Sequence, residues 1–399
     1  MTIIKSDKIY FEDGVKSGYL VVKDGKFAEF KTSLAQGEAC IDYTGYRIIP
    51  GIIDTHNHGN MGYAMSDGLR ATGKQYPDEE IEYNVRGYLK ALPGCGVTGV
   101  FPTAQAGTFK IIAKIAKEEI FGTKVLGIHS EGPYMQRVGE GGRQIVYPPV
   151  DIDYVKQMIA DADGMLKLFA FAPETKGIDP VIKLLKQNNV RMAFAHSELF
   201  YEGTLEAIEK GITVATHLGN VMTGIHHRDI GGLGALLTSD KVKCEIICDG
   251  FHLCVPFLKI LFKVRDYAGF MMISDGSRLG GLKPGVYPGG YPDISMHVDE
   301  NGFLLDDDGA IQGSSKSVLY GIGVLVNKVN VPIEDALRMS SLNTANWYGL
   351  GDKKGSIKLG KDADFVVIDP NYNAVATFVE GKKVYDSAKP IIFNPKFEF

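Results

Sequence analysis

A chain of 399 residues, 45% apolar and 23% charged, can bury a large core, which excludes a disordered, fibrous or repeat protein. Its net charge is −5, with Lys and Arg scattered, so nucleic acid and anionic membrane are not expected as partners and a small substrate is. Five cysteines without any Cys-x-x-Cys argue against both a disulfide framework and a thiolate metal cluster.

Met1–Asp7 lacks a basic stretch followed by an apolar core, and no segment approaches the roughly 18 apolar residues of a membrane span, so a cytoplasmic protein is expected. Residues 1–49 carry short half-apolar runs, Lys8–Phe11, Gly18–Val22 and Phe27–Phe30, separated by Asp13-Gly14 and Asp24-Gly25. Asp-Gly between such runs signals hairpins. The same texture returns over residues 355–399, and the two ends are expected to form one small β-sandwich.

Residues 50–354 alternate apolar runs with helical stretches, the pattern of βα units around a parallel sheet. Eight runs stand out: Arg47–Asp54, Val97–Thr103, Lys124–Ser130, Met165–Ala172, Arg191–His196, Ile212–His217, Lys243–Asp249 and Gly269–Asp275. They predict an α/β protein with a (β/α)₈ TIM-like barrel. Phe109–Glu119 reads as an amphipathic outer helix, and Gly280–Pro292 as a flexible loop beside the end of the eighth strand.

Polar residues fall at one end of these runs. His56, His58, Glu131, His196, His217, Asp249 and Asp275 each sit at or just past a strand's C-terminal end, the rim where barrel enzymes keep their chemistry. His56 and His58, one residue apart in a strand, project from the same face. Imidazole and carboxylate suit Zn²⁺, with Fe²⁺ as an alternative. Glu131, His196 and His217 would hold one ion, and His56 and His58 would complete a second site with Glu131 as the bridge. Asp275, across the mouth, is the expected general base toward water and acid toward a leaving amine. His129 shares the strand face of Glu131 and is read as a hydrogen-bonding supporter, and Asp249 as structural or another such supporter.

Six stretches together resemble the N-acetylglucosamine-6-phosphate deacetylases of the amidohydrolase superfamily: Pro50–Gly59, Gly127–Pro133, Ala195-His196-Ser197, His217–Met222, Asp249–His252 and Ser274-Asp275-Gly276. The resemblance implies one or two divalent ions per chain, a phosphorylated N-acetyl amino sugar as substrate, and a homodimer. It also implies that Arg228, six residues past Met222, binds the sugar phosphate, helped by Asn220 and the Val221 N–H, and that His252 contacts the sugar. The chain departs from the pattern at Arg143, which stands where a substrate-contacting histidine is usual and cannot change protonation near neutral pH. The expected reaction is deacetylation of an N-acetyl amino-sugar 6-phosphate. Hydrolysis of another N-acyl or cyclic amide, or a catalytically silent scaffold, stays open at this point.

Overall fold

In the computed structural model, which describes residues 1–137, 147–289, 295–389 and 393–397, the first apolar run is two strands. Arg47–Pro50 pairs with Thr2–Phe11 and Phe365–Ile368 in an outer sheet, whereas Ile52–Asn57 begins the barrel. Proline offers no N–H at the hand-over, and a side chain on Gly51 would stand 2.2 Å from the Thr98 hydroxyl. Only glycine fits the crossing.

The barrel strands are β1 (Ile52–Asn57), β2 (Val97–Pro102), β3 (Ile128–Glu131, preceded by the short piece Lys124–Val125), β4 (Leu166–Phe171), β5 (Arg191–Phe194), β6 (Ile212–Ala215), β7 (Lys243–Ile247) and β8 (Phe270–Ile273). All pair in parallel, and single bridges at Thr103 to His129 and at Asn57 to Gly276 complete the ring. Six of these strands follow one another in a single sheet, β3 to β8, so neighbours in sequence are neighbours in space.

Helices cover the outside because their apolar residues recur at three and four. Asp78–Ala91 buries Ile81, Val85, Tyr88 and Leu89 against the barrel and opens on Asp78, Glu79 and Glu80, where acids favour the helix dipole. Phe109–Ala116 does the same with Phe109, Ile112 and Ile115. Inside the barrel, Leu168, Ala170, Ala193, Ala195, Val214 and Met271 form a separate core with Trp347 and Tyr348 packed against it. No helix among the described residues is long and apolar enough to cross a membrane.

The two chain ends meet in one continuous eight-stranded sheet, in which Lys382–Asp386, Ala374–Val379 and Phe365–Ile368 join Arg47–Pro50 and the N-terminal strands. The sheet curls over itself: Phe27 donates its N–H to Lys361 at 3.0 Å, and the Phe27 and Phe365 rings lie 6.0 Å apart. Its core holds Ile4, Ile9, Leu20, Phe27, Ile48, Phe365 and Phe378. The sandwich expected from the sequence is thus a single folded sheet.

The segment after β8 departs from the sequence reading. Gly285–Pro288, inside the expected loop, is a strand that pairs antiparallel with Ser295–Val298, which in turn pairs with Leu304–Asp306, over a small core of Leu279, Tyr287, Met296, Val298 and Leu304. Residues 290–292 of the expected loop lie outside the described residues.

Candidate active site

Each site residue leaves its strand at the same rim. His56 lies in β1 and His58 directly after it, Glu131 ends β3, and His196, His217 and Asp275 each stand two residues past the end of β5, β6 and β8. These last three take φ values of 49°, 31° and 50°, the left-handed region that non-glycine residues avoid. The sharp turn swings their side chains inward from the rim.

The seam between β8 and β1 brings Asp275 to the histidines. Asp54 accepts from the Ser274 hydroxyl at 2.5 Å and from Asn57 Nδ2 at 3.2 Å, and Asn57 Nδ2 also reaches Ser274 Oγ at 2.9 Å. The backbones interlock alongside, Asp275 N–H donating to His56 O at 2.9 Å and His58 N–H to Gly276 O at 2.8 Å.

Glu131 stands at the centre of the result. Its Oε1 lies 3.1 Å from both His196 Nε2 and His217 Nε2, and its Oε2 lies 3.1 Å from His58 Nε2. His56 Nε2 is 3.6 Å from Glu131 Oε1 and 3.1 Å from His58 Nε2. Asp275 Oδ1 is 3.3 Å from His56 Nε2 and 3.4 Å from His58 Nε2, on the side of the first histidine pair. Two groups of donors therefore share Glu131: His56 with His58, and His196 with His217. In each pair two Nε2 atoms face one another at hydrogen-bond distance around one carboxylate, 3.1 Å in the first and 3.3 Å in the second. Convergent lone pairs of this kind fit divalent cations, and the nitrogen and oxygen donor set suits Zn²⁺ or Fe²⁺.

Sequence comparison matches residues 47–247 and 292–391 to the amidohydrolase family. The chain belongs to that family. This amidohydrolase is 28% identical over 399 residues to the N-acetylglucosamine-6-phosphate deacetylase of Bacillus subtilis, covering 96% of this chain and 97% of the relative. It is 30% identical over 340 residues to the N-acetylgalactosamine-6-phosphate deacetylase of Escherichia coli O157:H7, covering 84% of this chain and 87% of the relative. The crystal structure of the N-acetylglucosamine-6-phosphate deacetylase of Thermotoga maritima superposes with a TM-score of 0.78 at 26% identity, over 97% of this chain and all of that one. Amidohydrolases are metal-dependent hydrolases of carbon–nitrogen bonds, and this chain is one of them.

The amidohydrolase centre is strongly polarised. Burial opposes charge on Glu131, yet His56, His196 and His217 hold its carboxyl well below the usual range. Burial likewise opposes charge on Asp275, and His56 and His58 pull it down. Burial lowers His56, but Glu131 and Asp275 outweigh it and push the imidazole up to about 10. At His217 burial outweighs the contact with Glu131, and together with the neighbouring His196 it lowers the imidazole. His129 sits with its ring edge against His56 at 4.6 Å and its Nδ1 3.0 Å from Thr55 O, and burial followed by the neighbouring His56 keeps it neutral.

The residues expected to touch substrate are spread more widely. His252 is held by Asp249 at 2.7 Å, which overcomes burial and raises the imidazole. Asn220 donates to His217 O at 3.0 Å through both its N–H and its side-chain amide, and Val221 follows with φ of 53°. Arg228 is exposed on the loop after β6, beside His226 and His227, whose rings lie 4.1 Å apart. Arg143 lies outside the described residues.

Sequence reasoning missed Glu245, in β7. Its carboxyl is fully buried, accepts from the Thr55 hydroxyl at 2.6 Å and is pushed up to about 7 by that burial. The available signal was an acid inside the apolar run Lys243–Asp249, because an acid is almost never fully buried without a partner.

Proposed function

We propose that this amidohydrolase removes the acetyl group from an N-acetyl amino-sugar 6-phosphate, giving acetate and the amino-sugar 6-phosphate, with N-acetylglucosamine-6-phosphate as the first substrate. The observation that carries the reading is the position of Glu131 between two histidine pairs with Asp275 against one of them. The names of the Bacillus and Thermotoga relatives support the substrate class, and the Escherichia coli relative makes the galacto epimer the second substrate to test.

In this reading Glu131, His196 and His217 hold one divalent ion, and His56, His58 and Glu131 a second, Zn²⁺ being favoured over Fe²⁺ by the imidazole and carboxylate donors. A divalent ion bound there polarises an amide carbonyl and makes water nucleophilic at neutral pH. Asp275, ionised and at the rim, takes a proton from the attacking water and returns it to the amine nitrogen as the carbon–nitrogen bond breaks. Arg228, Asn220 and the Val221 N–H hold the sugar phosphate, a role the guanidinium fork suits. His252, fixed by Asp249, contacts the sugar, and Arg143 completes the substrate set. The five free cysteines support a reducing, cytoplasmic setting, and a homodimer follows from the resemblance.

The test is acetate release from the 6-phosphates of N-acetylglucosamine, N-acetylgalactosamine and N-acetylmannosamine. At least one is turned over, and Asp275→Asn lowers kcat by about 10²–10⁴-fold with metal content unchanged. Failure of all three phosphorylated sugars would overturn the reading. So would an Asp275→Asn protein working at the wild-type rate.

A further inference from the structure

Two buried atoms behind the first histidine pair have no hydrogen-bond partner: His56 Nδ1 and Glu245 Oε2. They stand 3.9 Å apart, and both side chains are completely shielded from solvent. The other Glu245 oxygen is already used, accepting from the Thr55 hydroxyl at 2.6 Å. On His56 the opposite nitrogen, Nε2, is the one that faces His58, Glu131 and Asp275.

A neutral imidazole offers a lone pair at Nε2 only when its proton sits on Nδ1. A proton on a buried Nδ1 needs an acceptor, and leaving it without one costs about 1–3 kcal/mol. Glu245 Oε2 is the carboxylate oxygen that faces it, and a shift of about 1 Å separates the observed spacing from a hydrogen bond.

We propose that Glu245 is the positioning residue of the cation site made by His56, His58 and Glu131, its Oε2 accepting the Nδ1 proton of His56 so that Nε2 turns to the ion. Thr55 anchors the carboxylate from the other side. The second group has a different support, since His196 Nδ1 lies 2.9 Å from the Arg137 carbonyl. The effect of Glu245 is therefore confined to one of the two sites. This inference rests on the two-cation reading above.

The experiment is titration of metal-free protein with Co²⁺, followed by visible absorption, with bound metal counted by mass spectrometry. Wild-type protein binds two ions. Glu245→Leu weakens one of them by about 10–100-fold and leaves the other unchanged. Glu245→Gln, whose amide oxygen still accepts from Nδ1, keeps most of the affinity. If Glu245→Leu does not fold, Thr55→Val releases Oε1 without altering core volume and gives a smaller loss at the same single site. Unchanged affinities in the Leu and Val variants, or an equal loss at both sites, would overturn the proposal. A wild-type protein that binds one ion only would refute the two-cation reading, and this inference with it.

Discussion

His196, His217 and Asp275 carry backbone strain of about 1–3 kcal/mol each, the usual cost of a non-glycine residue held at positive φ. Asp and Asn tolerate that region better than most residues, which makes Asp275→Asn a test of chemistry more than of folding. The charge at His56 has a consequence for metal uptake. Burial lowers this imidazole, but Glu131 and Asp275 outweigh it, so the metal-free protein keeps its proton up to about pH 10. The folded value lies above the ordinary one, so the stabilisation is complete below about pH 6.5 and is lost as pH rises through about 10. A cation must displace that proton. Metal affinity therefore rises between pH 6.5 and 10, by about tenfold per unit for one proton released, and uptake acidifies an unbuffered solution. An indicator dye measures the release, and an affinity independent of pH would contradict the assignment.

At the scale of elements, the seam between β8 and β1 decides whether the site exists. Asp54 and Ser274 reach His56 only through its backbone, Asp54 accepting from its N–H and the Ser274 hydroxyl donating to its carbonyl, each at 3.3 Å, and with Asn57 they hold the strand that carries His56 against the turn that carries Asp275. Ser274→Ala leaves a buried Asp54 oxygen with one fewer donor and is expected to cost about 1–3 kcal/mol, read as a shift in the denaturant midpoint. It should also lower kcat, because Asp275 is the next residue, while the ion between Glu131, His196 and His217 stays bound. Unchanged turnover in that variant would show that the seam is not needed for the position of Asp275. The small sheet after β8 was unreadable for a related reason. Its strands are three or four residues long and are stabilised by Tyr287, Met296 and Leu304 packing on Leu279, contacts that no local period announces.

For the whole molecule, the outer sheet is a separate source of stability. The Phe365 and Phe378 rings stack at 4.3 Å in its core, and Thr377 donates to the Pro93 carbonyl at 2.6 Å, tying the sheet to the barrel. Phe378→Ala opens a cavity and is expected to cost about 3–5 kcal/mol. Thermal and denaturant unfolding should both move, while kcat of the protein that remains folded should not, since none of the rim residues lies in this core. A fall in kcat equal to that of a site variant would instead mean that the sheet shapes the site.

The sequence by itself determined the types of side chain at the rim, the period that puts His56 and His58 on one face, and the βα alternation that yields a barrel. These are local properties, set by neighbours a few residues apart. Only the tertiary structure decided that the run at 47–54 is divided at Gly51, that β8 closes on β1, and that Glu245 faces His56. Those outcomes depend on contacts between segments as far apart as Asp54 and Ser274, whose energy appears only once the ring is closed. No window along the chain contains both partners.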